Sequence, residues 1–227
     1  MTRRTRIKIC GLTREADVDD AVAAGADALG FVLYAKSPRH VSAARAAALI
    51  ARLPPFVTPV LLFVNASAAE LQQAVAVVPH ALLQFHGDET PEACRAAGRP
   101  FMRAVRMGTG SEQVDLLNFA ARYLGGLSGF GALSAIALLL DAHAEGYGGS
   151  GKVFDWSQIP PSVPLPVVLS GGLSPANVTD GVLRVRPWAV DVSSGVESAK
   201  GVKSAELMRR FCVAVRAADE QLSPESI

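Results

Sequence analysis

Lys8 and Cys10 stand two residues apart in the run Arg-Ile-Lys-Ile-Cys near the N-terminus. In an extended strand they share one face, roughly 6–7 Å apart, so an ammonium there favours the thiolate over the thiol. Taken alone, Cys10 reads first as a small buried hydrophobe, and Lys8 is what makes a basic Cys10 a candidate. Asp141 ends the apolar run Leu138-Leu139-Leu140. A carboxylate there serves as a helix cap or salt-bridge partner, or as a functional group in a cleft. His86, just before Gly87, reads as a satisfied rim histidine or as a donor to a substrate. Arg39 follows Pro38 in a loop of limited freedom and is either solvated or a fork for a carboxylate.

The second chemical signal is glycine. Residues 146–156, Gly-Tyr-Gly-Gly-Ser-Gly-Lys-Val-Phe-Asp-Trp, follow a buried run. With Gly149, Ser150 and Gly151 at their centre they read as a backbone cradle for an anion. The spacing imitates a nucleotide-triphosphate loop, but Val153 stands where that motif needs a hydroxyl for magnesium, which argues against it. Gly171-Gly172 and Ser193-Ser194-Gly195 are further turns of this kind. The ligand to consider first is a phosphorylated small molecule.

These residues need a scaffold that brings distant segments to one rim. Val/Leu/Ile/Phe-rich runs at residues 6–10, 28–34, 58–64, 81–86, 101–107, 135–141, 167–170 and 189–193 alternate with amphipathic stretches at 14–24, 42–52, 67–77, 91–97, 111–123, 175–185 and 204–218. Only a short turn near 155–159 fits between the sixth and seventh strands. Eight βα-type strands predict an α/β fold, a single (β/α)8 TIM barrel. An open doubly wound sheet would show Gly-x-Gly-x-x-Gly after the first strand, and Cys10-Gly11-Leu12-Thr13 is not that. Thr90-Pro91 and Ser174-Pro175 read as helix starts, and Gly25 and Gly98 as helix stops.

Period-two alternation puts Lys8 with Cys10, Gln84 with His86, Leu139 with Asp141 and Asp191 with Ser193. Buried parallel strands should be apolar throughout, so polar residues at their C-terminal ends are expected to converge on the barrel mouth. In this fold, phosphate is commonly held by the loops after strands seven and eight, here Gly171-Gly172 and Ser193-Ser194-Gly195, beside a short extra helix.

The chain has 227 residues, half of them apolar, and a net charge of +1. That supports one large core, with no linker or long repeat dividing residues 1–227, and gives no electrostatic footprint for nucleic acid or an anionic membrane. The longest nearly apolar run, residues 127–140, is too short to span a bilayer and reads as a loop feeding a strand. The first residues show no apolar h-region or small-residue cleavage site, so export is not expected. Three scattered cysteines, Cys10, Cys94 and Cys212, argue against a disulfide framework or a zinc cluster and point to a reducing cytoplasm. The tail from about Gln221 lacks apolar periodicity and is expected to be disordered.

In order along the chain, Lys8-Ile9-Cys10-Gly11-Leu12-Thr13, Gly30-Phe31-Val32 with Ser37-Pro38-Arg39, Gln84-Phe85-His86-Gly87, Leu140-Asp141, residues 148–156, Ser170-Gly171-Gly172-Leu173 and Asp191-Val192-Ser193-Ser194-Gly195-Val196-Glu197 resemble phosphoribosylanthranilate isomerase. The resemblance runs from about Arg6 to Arg216. It implies an aldose–ketose isomerase of tryptophan biosynthesis that uses no metal or cofactor. Asp141 matches the general acid, Cys10 the general base and Arg39 the receiver of the anthranilate carboxylate. Lys8, His86 and Asp191 are expected at the substrate. Gly149, Ser150, Gly151, Gly171, Gly172, Ser193, Ser194 and Gly195 match the phosphate site. Residues 125–131 look longer and richer in glycine than the family usually carries. Another phosphosugar isomerase, or a sugar-phosphate-binding barrel without catalysis, is the alternative, and either a monomer or a homodimer is compatible with the sequence.

Overall fold

Each of the eight apolar runs forms a parallel strand, and the strands close on one another in chain order, β8 pairing with β1. The computed structural model describes residues 4–108, 114–124, 133–142 and 153–222. The strands are β1 (Arg6–Cys10), β2 (Ala28–Val32), β3 (Thr58–Phe63), β4 (Leu82–Phe85), β5 (Phe101–Met107), β6 (Ala135–Ala142), β7 (Val167–Leu169) and β8 (Ala189–Val192). Helices α1 (Glu15–Ala23), α2 (Ala43–Ile50), α3 (Ala68–Val77), α4 (Pro91–Arg95) and α5 (Leu116–Tyr123) separate the first six strands. Among the described residues between β6 and β7 a 3-10 turn, Trp156–Gln158, is formed, α6 (Val178–Val185) follows β7, and α7 (Ala205–Leu222) ends the described chain.

Alternation along the strands divides the core in two. Outward residues such as Ile7, Ile9, Leu29, Phe31, Leu61, Phe63, Leu83 and Phe85 are buried against the helices. Inward, Val60, Met102, Ala104, Leu139, Val168 and Ala189 fill the lower barrel. Cys10, Val32, Leu62 and Val64 form a separate upper cluster. The barrel interior is thus plugged below and begins to open at the level of Cys10, where strand ends and loops can build a site.

Local signals set most helix starts. Ser67 and Glu70 form a reciprocal capping box at α3, with the Glu70 carboxylate accepting from the Ser67 N–H at 2.8 Å. Such a cap contributes roughly 0.5–2 kcal/mol. Thr90 caps α4 with proline at its first turn. Ser174-Pro175 does not start α6, contrary to expectation. Asn177 Oδ1 instead accepts from Ser174 N at 2.8 Å and its Nδ2 donates to the Gly172 carbonyl at 3.0 Å, so residues 174–177 brace the loop after β7 and helix begins at Val178. Two short strands, β9 (Glu197–Ala199) and β10 (Val202–Lys203), form an antiparallel hairpin absent from the sequence-based expectation. Helix also reaches Leu222, which packs on the core, so Gln221 and Leu222 are not tail.

Candidate active site at the barrel mouth

One cavity opens at the C-terminal ends of the strands, and Cys10, Arg39, His86, Asp141 and Asp191 all line it. Gly171, Gly172, Ser193 and Ser194 line its far wall, so residues separated by up to 184 positions share one space. Gly195 does not line it. A side chain at Gly195 would strike the Leu173 carbonyl, so this glycine lets the β8 loop close on the β7 loop. Gly149, Ser150 and Gly151 lie outside the described residues, as do 125–131.

Strand register decides the closest contacts. Cys10 is the register partner of Gly30, and a Cβ on Gly30 would sit 2.6 Å from the Cys10 sulfur. Gly30 therefore provides the space in which that thiol lies. Lys8 is the register partner of Asp191, and their side chains pair at 2.6 Å, both almost fully buried. Ser170 Oγ donates to the other Asp191 oxygen at 3.3 Å. Lys8 does not line the mouth cavity. Parity put it on the right face of β1, but it lies one layer below Cys10, with its ammonium directed to Asp191.

That arrangement sets the state of the thiol. Burial pushes the Cys10 thiol above its ordinary value, Lys8 pulls it back, and Asp191 adds to the upward push. The ammonium acts in the expected sense, but burial outweighs it, so in the free protein the thiolate is disfavoured. Burial also opposes the charge on Lys8, while the Asp191 carboxylate and the Cys10 sulfur together more than offset this and the net shift is upward.

Asp141 belongs to a chain of side chains. Gln84 Nε2 lies 3.0 Å from His86 Nδ1, and His86 Nε2 lies 3.0 Å from Asp141 Oδ2. With the amide nitrogen donating to Nδ1, the imidazole holds its proton on Nε2 and donates it to the carboxylate. With the amide reversed, Gln84 Oε1, which otherwise lacks a partner, accepts from Nδ1–H, and Nε2 is left to accept from a protonated Asp141. The same geometry therefore accommodates either protonation state of Asp141. Behind His86, the buried Arg103 donates to the carbonyls of Phe85 at 2.9 Å and Gly87 at 3.0 Å. Glu89 accepts from Gly87 N at 2.9 Å and Asn65 N at 2.7 Å. The backbone on both sides of His86 is fixed by charges that never reach the cavity.

Gly171 (φ 78°) and Gly172 (φ 66°) take left-handed conformations that a side chain would strain. A Cβ at Gly171 would also collide with the Ala142 backbone and come within 3.0 Å of Asp141 Oδ1. Of the residues facing the cavity, Cys10, Arg39, His86, Asp141, Asp191, Gly171, Gly172, Ser193 and Ser194 were expected there. Sequence reasoning gave no role to Gly30, Arg103, Glu89 and Asn177, which hold those residues in place. Arg103 was signalled by being a charge in the middle of a mostly apolar strand, and Gly30 by being a side-chain gap in one.

The family described as PRAI, N-(5'phosphoribosyl)anthranilate (PRA) isomerase, matches residues 7–214. The N-(5'-phosphoribosyl)anthranilate isomerase of Leptothrix cholodnii is 69% identical over 216 residues, covering 95% of this chain and 93% of that protein. The Methylibium petroleiphilum enzyme of the same name is 66% identical over 224 residues, covering 99% and 100%. Among solved structures, phosphoribosyl anthranilate isomerase from Thermotoga maritima superposes with a TM-score of 0.80 at 38% identity, covering 94% of this chain and 99% of that one. A phosphoribosyl anthranilate isomerase in complex with reduced 1-(o-carboxyphenylamino)-1-deoxyribulose 5-phosphate gives 0.73 at 32% identity, covering 94% and 99%.

Proposed function

The chain belongs to the N-(5'-phosphoribosyl)anthranilate isomerase family, and from that premise we propose that Asp141 and Cys10 are the acid and base of its reaction. The reaction turns N-(5-phosphoribosyl)anthranilate into 1-(2-carboxyphenylamino)-1-deoxyribulose 5-phosphate. The observation that carries the assignment is that Cys10 and Asp141, from the ends of β1 and β6, line one cavity together with Arg39 and the loops after β7 and β8.

Asp141 gives its proton to the furanose ring oxygen, the C1–O bond breaks, and the nitrogen lone pair forms the C1=N iminium. Cys10 thiolate removes the proton from C2, and that electron pair neutralises the iminium to an enolamine. Protonation at C1 with loss of the C2 hydroxyl proton gives the ketone. An aldose-to-ketose shift needs such a donor and acceptor on the bound sugar. The buried thiol matters to the order of steps. Its thiolate is scarce in the free protein, and the cationic iminium both acidifies C2–H and favours the thiolate beside it, so ring opening precedes proton removal.

Arg39 receives the anthranilate carboxylate, and Gly171, Gly172, Ser193 and Ser194, with Gly149, Ser150 and Gly151, take the phosphate, while Gly195 lets the loops after β7 and β8 close together. His86 holds Asp141 and the Lys8–Asp191 pair lies beneath the sugar. Three free, buried cysteines support a reducing, cytoplasmic setting.

The test is loss of anthranilate-type fluorescence when the purified protein meets freshly made phosphoribosylanthranilate, beside Cys10→Ser and Asp141→Asn. Each variant should lower turnover by about 10²-fold or more with modest change in substrate binding. Near-wild-type turnover in either one removes that residue's role, and no loss with folded wild type removes the reaction.

A further inference from the structure

Arg39 does not reach the cavity as a free side chain. Its Nε and Nη2 donate to the two oxygens of Glu197 at 2.6 and 2.8 Å, an edge-on bidentate pair spanning 158 positions of sequence. No described residue accepts from Nη1. The Glu197 carboxylate is in turn held by Lys203, whose Nζ lies 2.9 Å from Oε1 and also donates to the Ser193 carbonyl at 3.0 Å. Lys203 has a fully buried side chain, and those of Arg39 and Glu197 are nearly so. Burial pushes the Lys203 ammonium below its ordinary value while Glu197 opposes this, so Arg39 and Lys203 share one carboxylate at the edge of the cavity.

The hairpin carrying Glu197 and Lys203 is braced against the other mouth loops. Thr13 Oγ1 donates to the Gly201 carbonyl at 3.1 Å, and a Cβ on Gly201 would lie 3.0 Å from the Pro38 carbonyl. A Cβ on Gly11, the residue after Cys10, would lie 2.5 Å from Arg39 Cδ and 3.2 Å from Ser193 Oγ. The segments after β1, β2 and β8 therefore meet at this cluster, and rotation of Arg39 would be transmitted to its neighbours.

We propose that Glu197 is a positioning residue for substrate recognition: by occupying the Nε–Nη2 edge of Arg39, and being anchored by Lys203, it fixes the remaining guanidinium edge toward the carboxylate of the aromatic ring. This rests on the reading of Arg39 as the carboxylate receiver. A planar fork gains specificity only when its plane is fixed, and one edge gripped by a buried carboxylate fixes it. Burial opposes the charge on Glu197, but the Arg39 hydrogen bonds and Lys203 prevail and hold it below the ordinary carboxylate range, so the grip persists at neutral pH.

The experiment compares wild type, Glu197→Gln, Arg39→Met and the double variant on phosphoribosylanthranilate and on its phosphoribosylaniline analogue, which lacks the carboxylate. Product is followed by chromatography. Glu197→Gln should raise KM for the carboxylate substrate about tenfold with a smaller effect on kcat, and its penalty on kcat/KM should be at least about fivefold smaller with the analogue. The double variant should be no worse than Arg39→Met alone. Equal penalties on both substrates, or additive ones in the double variant, overturn the proposal, as does an unaffected Glu197→Gln. Unchanged kinetics in Arg39→Met instead overturn the reading of Arg39 itself. Should Glu197→Gln fold poorly, Glu197→Asp keeps the charge, shortens the reach and should show the same carboxylate-dependent penalty.

Discussion

Replacing Gly30 by Ala adds one methyl group beside the proposed base. That Cβ would fall 2.6 Å from the Cys10 sulfur, 3.1 Å from its Cα and 3.2 Å from its Cβ. Ordinary non-bonded contact begins near 3.5 Å, so the sulfur must retreat by about 1 Å. A rotamer change alone does not relieve the backbone contacts, and β1 and β2 are held in register on both sides of the clash. Misplacing a reacting group by 1 Å can cost about 10²-fold in rate. Overpacking should cost a further 1–3 kcal/mol or so of stability. The expected result is kcat lowered about 10²-fold with KM within about threefold, since the three atoms nearest the new methyl group all belong to Cys10. Fluorescence-monitored turnover reads the rates, and circular dichroism with urea unfolding verifies the fold. A folded Gly30→Ala with kcat within about threefold of wild type would refute the claim that proton removal depends on where this thiol lies.

Lys8→Met removes the stronger of the two cations that oppose burial at Cys10 and leaves Asp191 without its counter-ion, so the thiol should rise further and the rise of activity with pH should move upward. An unchanged profile removes the electrostatic role of Lys8, and loss of stability by about 3–5 kcal/mol from the broken pair is expected in the same variant. Burial pushes the Cys94 thiol up to about 12 and the Cys212 thiol up to about 11, from an ordinary 9.0. The folded chain therefore keeps these protons after the unfolded chain has lost them, so this contribution is intact below pH 9 and is lost as pH rises through the folded values. Unfolding free energy should fall by roughly 3–4 kcal/mol more in wild type than in Cys94→Ala/Cys212→Ala between about pH 8.5 and 10.5. Parallel slopes in urea titrations would contradict the assigned shifts.

The alternation of the sequence carried the fold a long way because a parallel barrel buries both faces of every strand. β1 and β5 have the bounds expected from their apolar runs, and the paired positions Gln84/His86 and Leu139/Asp141 do share inward faces. What alternation cannot supply is height along the barrel axis. Lys8 and Cys10 have the same parity, yet one is a floor residue tied to Asp191 and the other lines the cavity, because the register of β1 against β8 sets which rung each occupies. The same limit applied at β2, where Gly30 becomes meaningful only once register sets it opposite Cys10.

Arg103, Asn177 and Glu197, to which sequence reasoning gave no role, share a physical character: each acts on another part of the protein rather than on the ligand. Arg103 supports His86 from behind β4, and Asn177 braces the Gly172 turn at the cost of the expected helix start. Glu197 orients Arg39 from a seven-residue hairpin too short to show a period. Local spacing reveals a group that must reach a cavity, since strand parity dictates it. A supporting group is selected by distance in space, and its partner can lie anywhere in the chain. Buried charge is the one sign it leaves in the sequence: a lysine, arginine or glutamate inside an apolar context needs a partner, because an unpaired ion there costs several kcal/mol. Lys8 and Arg103 meet that description, and each is paired with a carboxylate at or near the mouth, whereas Lys203 sits among polar residues and gives no such sign. In this barrel, therefore, the cations that look like candidates for the chemistry chiefly hold the groups proposed to perform it.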